Sequence, residues 1–595
     1  MRSITSGLGL AISIRLALAL LMALSISSTV RGAQDNMVGG IEAEFRHGQV
    51  FITWDQPDGE HGHTFNVYTG ALPISSANLS DARLLAQRIE SHSARDWWND
   101  PATYFKEGEV EPTGFVIAEG GEPLDPGKGL FVHTVSAVEP GEAYYAVTVS
   151  LDGTEKRSVK KGESSLAEPV VQRQMPLTPI WQGKPGDKPS VAGARGLPLV
   201  LHLHGRGGVE KVNWLVFGSW EMGWREGLPF KFHSQMRQDH LVISPTDRTW
   251  VGRTLSESWD KRDHFSPVID SFWYGYNDRI YDRQLMSGGT PTNYTERKNL
   301  WLIYWAREYF ATDPDRTVWE GGSMGGCGGL SFGLRHPEIF SAIISHVPLV
   351  GYFGKGWGGS ERRLTPFCGS METVTSDGLS VRERMDSRTV LARAAREGID
   401  LPFLVITNGR NDGSIPWRPN YRYYDALGKS RQGFVAAWDN LEHHNCMENT
   451  HPWMKSWLEP QKLFAFSLKE SFPAFSNFSV DDNAGDGDKA DGDLVGYINF
   501  GLEWDGLQDE QDSYEITVRL GAGDASLPVT VDITPRRLQN FKIAPFQQVL
   551  IVNRDSDGRE VARGVARADS NGKVTCEDFK ITDKQGNRLS ISAKL

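Results

Sequence analysis

Cysteine is scarce in this sequence, with four residues among 595. Cys327, Cys368, Cys446 and Cys576 show none of the paired spacings typical of zinc modules, which argues against a protein of that class. In an exported chain, four cysteines permit two disulfides in any of three connectivities. We expect a bridge from Cys368 to either Cys327 or Cys446, and the sequence leaves that choice open.

Positive charge is also in short supply. The chain has 63 lysine and arginine residues against 75 aspartate and glutamate residues, for a formal net charge of −12. Nucleic acids and anionic membranes both require a basic surface, so we expect neither as a partner. A neutral or cationic substrate fits this charge better. The hydrophobic content of 39% excludes a largely disordered chain.

Long apolar runs are missing after the N-terminus. Residues 1–33 read as a secretory signal peptide, with Arg2 ahead of the apolar run Leu16 to Leu24 and small residues at Gly32 and Ala33. The alternative is a retained membrane anchor, but the run has about half the ~20 residues that span a bilayer. We therefore expect a secreted protein, extracellular or periplasmic, with no membrane association after signal removal.

The chain beyond this signal divides into three regions by pattern. Residues 36–170 form short alternating runs such as Gln49–Trp54, which predicts an antiparallel β-sandwich, and their aromatic anchors resemble those of a fibronectin type III domain. A linker rich in proline and glycine leads to residues 195–470, where apolar strands alternate with helices. That alternation predicts a mostly parallel sheet with helices on both faces. Residues 471–595 return to strands and turns, which predicts a second β-sandwich.

In the middle region, six strands and two helices are predicted most clearly. The strands are Leu197–His202, His240–Ser244, Thr317–Glu320, Ala342–His346, Phe403–Thr407 and Phe434–Trp438, and the helices are Glu296–Phe310 and Met324–Arg335.

The strongest chemical signal is the segment Trp319–Gly326, which contains a G-x-S-x-G box around Ser323. The box lies between a predicted strand and a predicted helix, where a sharp turn exposes the serine hydroxyl. Glycines two residues before and after the serine let the neighbouring backbone pass without a Cβ clash. The box predicts a nucleophilic serine; the alternative is a glycine-rich turn that only connects strand and helix.

An acyl-transfer serine needs amide donors at the position where the oxyanion forms. The backbone N–H of Met324, next to the predicted nucleophile, is the first candidate. The second should follow an early strand, where the sequence runs from Leu201 to Gly208, and we assign it to the backbone N–H of Arg206. The alternative is that the glycines of this segment, Gly205, Gly207 and Gly208, only form a flexible turn.

The acid and the histidine of such a triad follow the serine along the chain, each after a later strand. Asp412 comes after the strand that begins near Phe403, and His443 follows the strand that ends at Trp438. His444 is the alternative base, and His451 is a more distant one. Asp439 or Glu442 could replace Asp412 if that assignment fails.

The segments Asp313–Arg316 and Arg335–Phe340, together with the serine box, resemble the branch of α/β hydrolases that includes esterase D, feruloyl esterases, polyhydroxyalkanoate depolymerases and prolyl oligopeptidases. The resemblance covers roughly residues 195–465. It implies the same triad of Ser323, Asp412 and His443. Leu441 and Glu442 depart from the residues that often precede the histidine in these relatives, so the choice between His443 and His444 stays open.

The substrate is less clear from sequence. The insert from Trp214 to Tyr294 is rich in aromatic residues, which could stack on sugar rings or on an aromatic acyl group, or could form the core of a lid. Together with the predicted flanking β-sandwiches, this aromatic insert favours a carboxylic-ester hydrolase that acts on acetyl or feruloyl substituents of a polysaccharide. The alternatives are a serine peptidase, a polyester depolymerase and a non-catalytic glycan-binding protein.

No organic cofactor or catalytic metal is expected. The acidic segment from Asp481 to Asp493 has oxygen ligands at alternating positions, as calcium requires, but it lacks the register of an EF-hand loop. The sequence leaves open a structural calcium site or a solvated acidic turn.

Overall fold

The computed structural model describes residues 37–57, 63–97, 113–151, 153–183, 185–206, 214–217, 229–250, 268–280, 286–352, 361–447, 452–521 and 525–594. The predicted signal peptide lies outside these ranges. Within the described residues, no helix combines the length and the apolar character needed to cross a membrane.

The N-terminal unit consists of antiparallel sheets. Its strands are β1 Gly39–Arg46, β2 Gln49–Asp55, β3 His63–Gly70, β4 Arg83–Glu90, β5 Gly129–Thr134, β6 Glu142–Leu151, β7 Thr154–Lys156 and β8 Val170–Val171, with the short helix α1 Ser93–Asp96. One sheet has the order β1-β2-β5, and the other has the order β4-β3-β6-β7 with β8 paired to β6.

Both sheets of this unit contribute to one apolar core. Val50 and Trp54 of the first sheet pack in the same cluster as Phe65 and Tyr145 of the second. The hydroxyl of buried Tyr145 donates to Oε1 of Gln172 at 2.5 Å. Strands β2 and β6 are buried along nearly their whole length, with only Asp55 and Glu142 exposed. The fibronectin type III assignment of this unit stays a prediction.

The central region contains strands β9 to β21. They are β9 Ile180–Trp181, β10 Leu199–Leu203, β11 Trp214–Phe217, β12 Pro229–Met236, β13 Leu241–Pro245, β14 Arg248–Trp250, β15 Val268–Asp270, β16 Tyr276–Asn277, β17 Pro291–Thr292, β18 Thr317–Gly322, β19 Ala342–His346, β20 Phe403–Gly409 and β21 Phe434–Asp439. The helices are α2 Val191–Ala194, α3 Tyr294–Phe310, α4 Met324–Ser331, α5 Glu361–Cys368, α6 Val381–Met385, α7 Ser387–Glu397, α8 Asn420–Ser430, α9 Pro452–Lys455 and α10 Pro460–Leu463.

One ten-stranded sheet organises this region, in the order β23-β21-β20-β19-β18-β10-β13-β12-β11-β9, where β23 is Gly496–Ile498. The run from β13 through β10, β18, β19 and β20 to β21 is parallel throughout. Strand β12 is antiparallel to β13, and strand β23 is antiparallel to β21. The carboxyl ends of six parallel strands therefore meet along one edge of the sheet.

Helices cover both faces of this sheet. Ile343 of β19 faces α4, since a Cβ added at Gly329 of this helix would lie 3.0 Å from its side chain. The neighbouring residue Ile344 belongs to the opposite cluster, which includes Leu463 of α10. This arrangement confirms the predicted fold class, an α/β core with flanking β-sheet regions.

All six predicted parallel-sheet strands are present, and two of them end two residues later than predicted. Strand β18 extends to Gly322 and β20 to Gly409, which carries both strands up to the residues with candidate chemistry. The predicted helix Met324–Arg335 ends at Ser331 and continues as a 3-10 turn over Gly333–Arg335.

The C-terminal region forms two further sheets. Its strands are β22 Phe472–Ser476, β23, β24 Leu502–Asp509, β25 Ser513–Leu520, β26 Val529–Arg536, β27 Gln548–Arg554, β28 Glu560–Arg567, β29 Cys576–Ile581 and β30 Asn587–Ser592. The orders are β22-β26-β29 and β24-β25-β30-β27-β28, and residues from both sheets share one core cluster.

Specific polar contacts join this region to the central one. The buried guanidinium of Arg537 donates to the carbonyl of Ser467 at 2.9 Å, and Lys573 pairs with Asp400 at 2.8 Å. Strand β23 follows residue 470 in the chain, yet it pairs with β21 and is an edge strand of the central sheet.

The expected disulfide bridge from Cys368 is wrong. All four cysteines are free and buried. Cys327 lies on α4 and its sulfur accepts the N–H of Leu349 at 3.2 Å, while Cys446 packs in the core cluster on the other side of the sheet. Closeness in sequence to the candidate serine and histidine does not bring these thiols together. Burial raises the pKa of the Cys327 thiol.

Candidate active site

Ser323 occupies a sharp turn between β18 and α4. Its φ of 53° and ψ of −116° are unfavourable for a residue with a side chain. The turn is held by flanking hydrogen bonds: the N–H of Ser323 donates to the carbonyl of His346 at 2.8 Å, and the N–H of Cys327 donates to the carbonyl of Ser323 at 2.9 Å. The predicted strand–turn–helix geometry is present.

The two glycines of the box are required by close backbone contacts. A Cβ on Gly325 would lie 2.1 Å from the carbonyl oxygen of Leu203 on β10. A Cβ on Gly321 would lie 2.5 Å from the carbonyl carbon of Gly325. The first turn of α4 therefore presses directly on the end of β10, which fixes the depth of Ser323 at the edge of the sheet.

We expect Gly325→Ala to destabilise the fold by about 1–3 kcal/mol, because the added methyl group meets backbone that cannot rotate away. Urea unfolding measures the change. Gly428→Ala is the matched control, since Gly428 lies in α8 and a Cβ there meets nothing within 4 Å. It should be neutral or stabilising by up to ~1 kcal/mol. Equal effects of the two substitutions would show that contact with β10 is unimportant.

Asp412 lies in the turn after β20 and is 3% exposed. Its Oδ1 accepts the N–H groups of Ser414 at 2.7 Å and Ile415 at 2.8 Å. Its Oδ2 lies 2.5 Å from Nδ1 of His443. The carboxylate is thus fixed by the turn and directed at one imidazole nitrogen, which leaves Nε2 of His443 available for proton transfer.

His444 lies outside this arrangement. It is exposed, and its ring stands edge-on to that of His443 with centroids 5.2 Å apart. The structure therefore brings Asp412 together with His443, while His451 falls outside the described residues.

The alternative acids have other positions. Asp439 ends β21, and its carboxylate accepts the N–H groups of Leu441 at 3.1 Å and of Met447. It closes the loop that carries His443. Glu442 is exposed. Asp439 is thus placed to brace the histidine loop, and Asp412 is the carboxylate bonded to His443.

Of the two predicted oxyanion donors, Met324 directly follows Ser323, and the assignment of Arg206 stays a prediction. Met324 is the first residue of α4 and is buried. The segment before Arg206 also passes close, since a Cβ on Gly205 would lie 3.5 Å from Cβ of Ser323. Residues 207–213 lie outside the described residues.

A buried polar network supports this oxyanion segment. Nδ1 of His204 lies 2.8 Å from the carbonyl of Gly205, and its Nε2 accepts the N–H of Asp247 at 3.1 Å. The Asp247 carboxylate accepts the N–H of Ser271 at 2.7 Å and its hydroxyl at 2.5 Å. Burial raises the pKa of Asp247 to about 6. Sequence reasoning missed this network, which orients the ring of His204 next to Gly205.

Residues 273–466 of the 595-residue chain match the prolyl oligopeptidase family. This match covers Ser323, Asp412 and His443 and agrees with the sheet topology and the turn at Ser323. The protein is a serine hydrolase. Its central region has an α/β-hydrolase core, and residues 273–466 of that region are similar to the prolyl oligopeptidase family.

Solved structures similar to the hydrolase include both esterases and a peptidase. An S-formylglutathione hydrolase from Agrobacterium tumefaciens is 17% identical with a TM-score of 0.31, covering 46% of this chain and 85% of that chain. A thermophilic esterase from Thermogutta terrifontis is 15% identical with a TM-score of 0.25, covering 49% and 87%. Dipeptidyl peptidase 4 from Porphyromonas gingivalis is 10% identical with a TM-score of 0.29, covering 72% and 62%. No curated protein sequence matches the chain significantly.

His346 is a further side chain at the active-site edge of the hydrolase. It ends β19, in register with Gly322 on one side and Thr407 on the other. Its Nδ1 lies 2.5 Å from Oγ1 of Thr407. Burial and the nearby His443 lower its pKa to about 4, so its ring is neutral at pH 7. Its position at the carboxyl end of the strand next to the serine strand was the only sequence signal that could have identified it.

This pKa predicts acid sensitivity. The unfolded chain takes up a proton at His346 near the ordinary pKa of 6.5, whereas the folded protein does so only near pH 4. The stability that comes from keeping His346 neutral is fully present above pH 6.5 and is lost as the pH falls from 6.5 to 4. We expect the free energy of unfolding to fall more steeply from pH 6.5 to 4 in the wild type than in His346→Gln.

Urea unfolding at several pH values measures both slopes. The pKa values of two carboxyl groups are raised in the folded protein, to about 6 for Asp247 and to about 7 for Asp481. Their protonation increases the free energy of unfolding as the pH falls, and it does so in both proteins. The difference between the slopes therefore isolates His346, and parallel slopes would contradict the assignment.

The described aromatic side chains of the insert belong to the core. Trp273, Tyr274 and Tyr276 are 0%, 1% and 4% exposed. Trp273 packs on His204 with ring centroids 4.9 Å apart. These three rings are buried and do not offer an open stacking face. The side chains of Trp214, Trp220, Trp224, Trp250 and Trp259 lie outside the described residues.

The acidic segment Asp481–Asp493 uses its carboxylates for its own backbone. Asp493 accepts the N–H of Asn483 at 2.8 Å, and Asp491 accepts the N–H of Asp486 at 2.9 Å. In the part of the chain that the structure describes, no group of three or more acidic, histidine or cysteine side chains is arranged to hold a metal ion. The described geometry is that of a turn stabilised by its own side chains.

Proposed function

We propose that this hydrolase is a secreted carboxylic-ester hydrolase that removes acetyl or feruloyl substituents from polysaccharides. The observation that carries the catalytic part is the bond from Asp412 to Nδ1 of His443, at the same sheet edge as the strained turn of Ser323. The substrate class rests on the sequence: the tryptophans of the insert other than buried Trp273, the flanking β-sheet regions and the acidic net charge. Secretion rests on the N-terminal signal pattern.

The proposed reaction is a two-step acyl transfer. Oγ of Ser323 attacks the ester carbonyl, and its proton passes to Nε2 of His443, because Nδ1 is engaged with Asp412. The backbone N–H groups of Met324 and Arg206 donate to the oxyanion of the tetrahedral intermediate. His443 then returns the proton to the departing sugar oxygen, which leaves as a hydroxyl. Water attacks the acyl carbonyl as His443 takes its proton, and His443 returns that proton to Oγ of Ser323 as the acid leaves.

The buried carboxylate has a specific role in this scheme. Asp412 accepts two backbone N–H groups, so its position does not depend on the histidine. It holds the imidazole in the tautomer that can accept a proton at Nε2 and stabilises the imidazolium that forms.

A secreted serine peptidase is the second candidate, and the match to the prolyl oligopeptidase family favours it. The same triad can attack an amide, so the triad does not separate the two functions. A polyester depolymerase would also use this chemistry.

One experiment separates these candidates. Purified protein is incubated with acetylated and feruloylated oligosaccharides, with a polyester, and with proline-containing peptides, and acid or amine release is quantified against Ser323→Ala. We expect release of acetate or ferulate without peptide cleavage. Peptide cleavage without ester hydrolysis would establish the peptidase. A folded protein that binds glycans but is not labelled by a fluorophosphonate would establish a non-catalytic binding protein.

A further inference from the structure

Arg410 links the acidic segment Asp481–Asp493 to the turn that carries Asp412. It directly follows β20 and precedes Asp412 by two residues, and its side chain is 1% exposed. Its Nη1 donates to the carbonyl of Asp493 at 2.6 Å, and its Nη2 donates to the carbonyls of Lys489 at 2.9 Å, Asp488 at 3.1 Å and Asp491. Four main-chain carbonyls of one segment thus converge on one guanidinium.

The acidic segment is shaped for this contact. Gly485, Gly487 and Gly492 have φ of 75°, 98° and 76°, the left-handed values that curl a chain around a central group. Its carboxylates fix the curl by accepting the segment's own N–H groups, as in the bond from Asp488 N–H to Asp486 at 2.9 Å. The carbonyls are therefore left pointing at Arg410. A buried guanidinium needs such acceptors, and the surrounding carboxylates compensate its charge.

The same turn is also bonded to the histidine loop. The N–H of Arg410 donates to the carbonyl of Asp439 at 2.8 Å, and the N–H of Asn411 donates to the carbonyl of Leu441 at 3.1 Å. Trp438, on β21, donates from Nε1 to the carbonyl of Asp493 at 2.8 Å. The acid turn, the histidine loop and the acidic segment form one hydrogen-bonded unit with Arg410 at its centre.

We propose that Arg410 is a positioning residue for the Asp412–His443 pair, and that the acidic segment acts on catalysis through it. This inference rests on the proposed function. In the folded protein the guanidinium occupies the place that a cation would take in a calcium loop. Loss of its four bonds frees the turn to shift, and a shift of the Asp412 carboxylate misaligns the imidazole of His443.

The test uses Arg410→Lys and Arg410→Met in the full chain. A lysine keeps the charge but has one nitrogen and cannot reach four carbonyls in the plane of a guanidinium. We expect Arg410→Lys to lower kcat by about 10- to 100-fold, as a misplacement of about 1 Å does, with KM changed less than about twofold. We also expect a changed acid limb in the pH profile of kcat/KM, which reports the catalytic base.

Arg384→Lys is the matched control. Arg384 is also 1% exposed, stacks 4.6 Å over Tyr274 and donates to Glu296, Asp377 and the carbonyl of Ser331. It should lower the urea midpoint as Arg410→Lys does while leaving the pH profile of the remaining folded enzyme unchanged. A purely structural role for Arg410 would make the two variants behave alike, which overturns the proposal.

A double-mutant cycle with Asp412→Asn completes the test. If Arg410 acts through Asp412, Arg410→Lys should cost little in the Asp412→Asn background, whereas independent effects would add. Absence of fluorophosphonate labelling in the wild type would refute the proposed function itself. Wild-type labelling together with an unaltered rate in folded Arg410→Lys would refute only the positioning role. Where Arg410→Met fails to fold, Arg410→Lys carries the decision.

Discussion

Replacing Ser323 with alanine should reduce ester turnover by about 10⁵- to 10⁶-fold while the protein remains folded. The loss is this large because triad members act as a unit, and removing the nucleophile leaves only binding and oxyanion stabilisation. Stability should change little, since alanine keeps a Cβ in the same turn, where φ is 53°. Single-turnover and steady-state assays measure the loss, and thermal unfolding confirms the fold.

Ser341→Ala is the control for this substitution. Ser341 is fully buried and precedes β19 at the opposite edge of the sheet, where its hydroxyl donates to the carbonyl of Thr317 at 3.2 Å. It should cost about 1 kcal/mol of stability, the value of one hydrogen bond, with kcat unaffected. Retained activity in folded Ser323→Ala would remove the serine from the mechanism and with it the proposed acyl-enzyme.

Replacing His443 with alanine should be about as severe as the serine substitution, whereas His444→Ala should lower activity less than about tenfold. The two residues are adjacent and chemically identical, so each serves as the control for the other. Only His443 is bonded to Asp412, and His444 is exposed. The pH profile of the remaining activity should lose its basic group in His443→Ala alone. The opposite ranking would transfer the general-base role to His444.

Much of the central region could be predicted from the sequence because its signals are local. The glycines around Ser323 exist to relieve backbone contacts, and the apolar runs of the parallel strands are buried on both faces. Chain order then points to Asp412 and His443 without any knowledge of their distance. The juxtaposition of Asp412 and His443 follows from a topology that local patterns reveal.

The features that escaped prediction depend on which distant segments meet. The acidic segment looks like a calcium loop in sequence because nothing local indicates that Arg410 supplies its central cation. The cysteines near Ser323 and His443 suggested a bridge, yet Cys327 and Cys446 lie on opposite faces of one sheet. His346 becomes notable only when β19 is placed between β18 and β20. Side-chain direction and strand order are tertiary properties, and no local pattern encodes them.

The edge strand β23 has a consequence for how the enzyme is made. During synthesis β21 leaves the ribosome with one row of N–H and C=O groups unpaired, and their partners in Gly496–Ile498 emerge only later. Until then the nascent chain carries the residues of the triad on a sheet with an unpaired edge strand, which can pair with another chain. The sheet of the hydrolase core can therefore be completed only after the acidic segment has been translated. A polypeptide that ends near residue 470 would keep the edge of β21 exposed and would be prone to self-association.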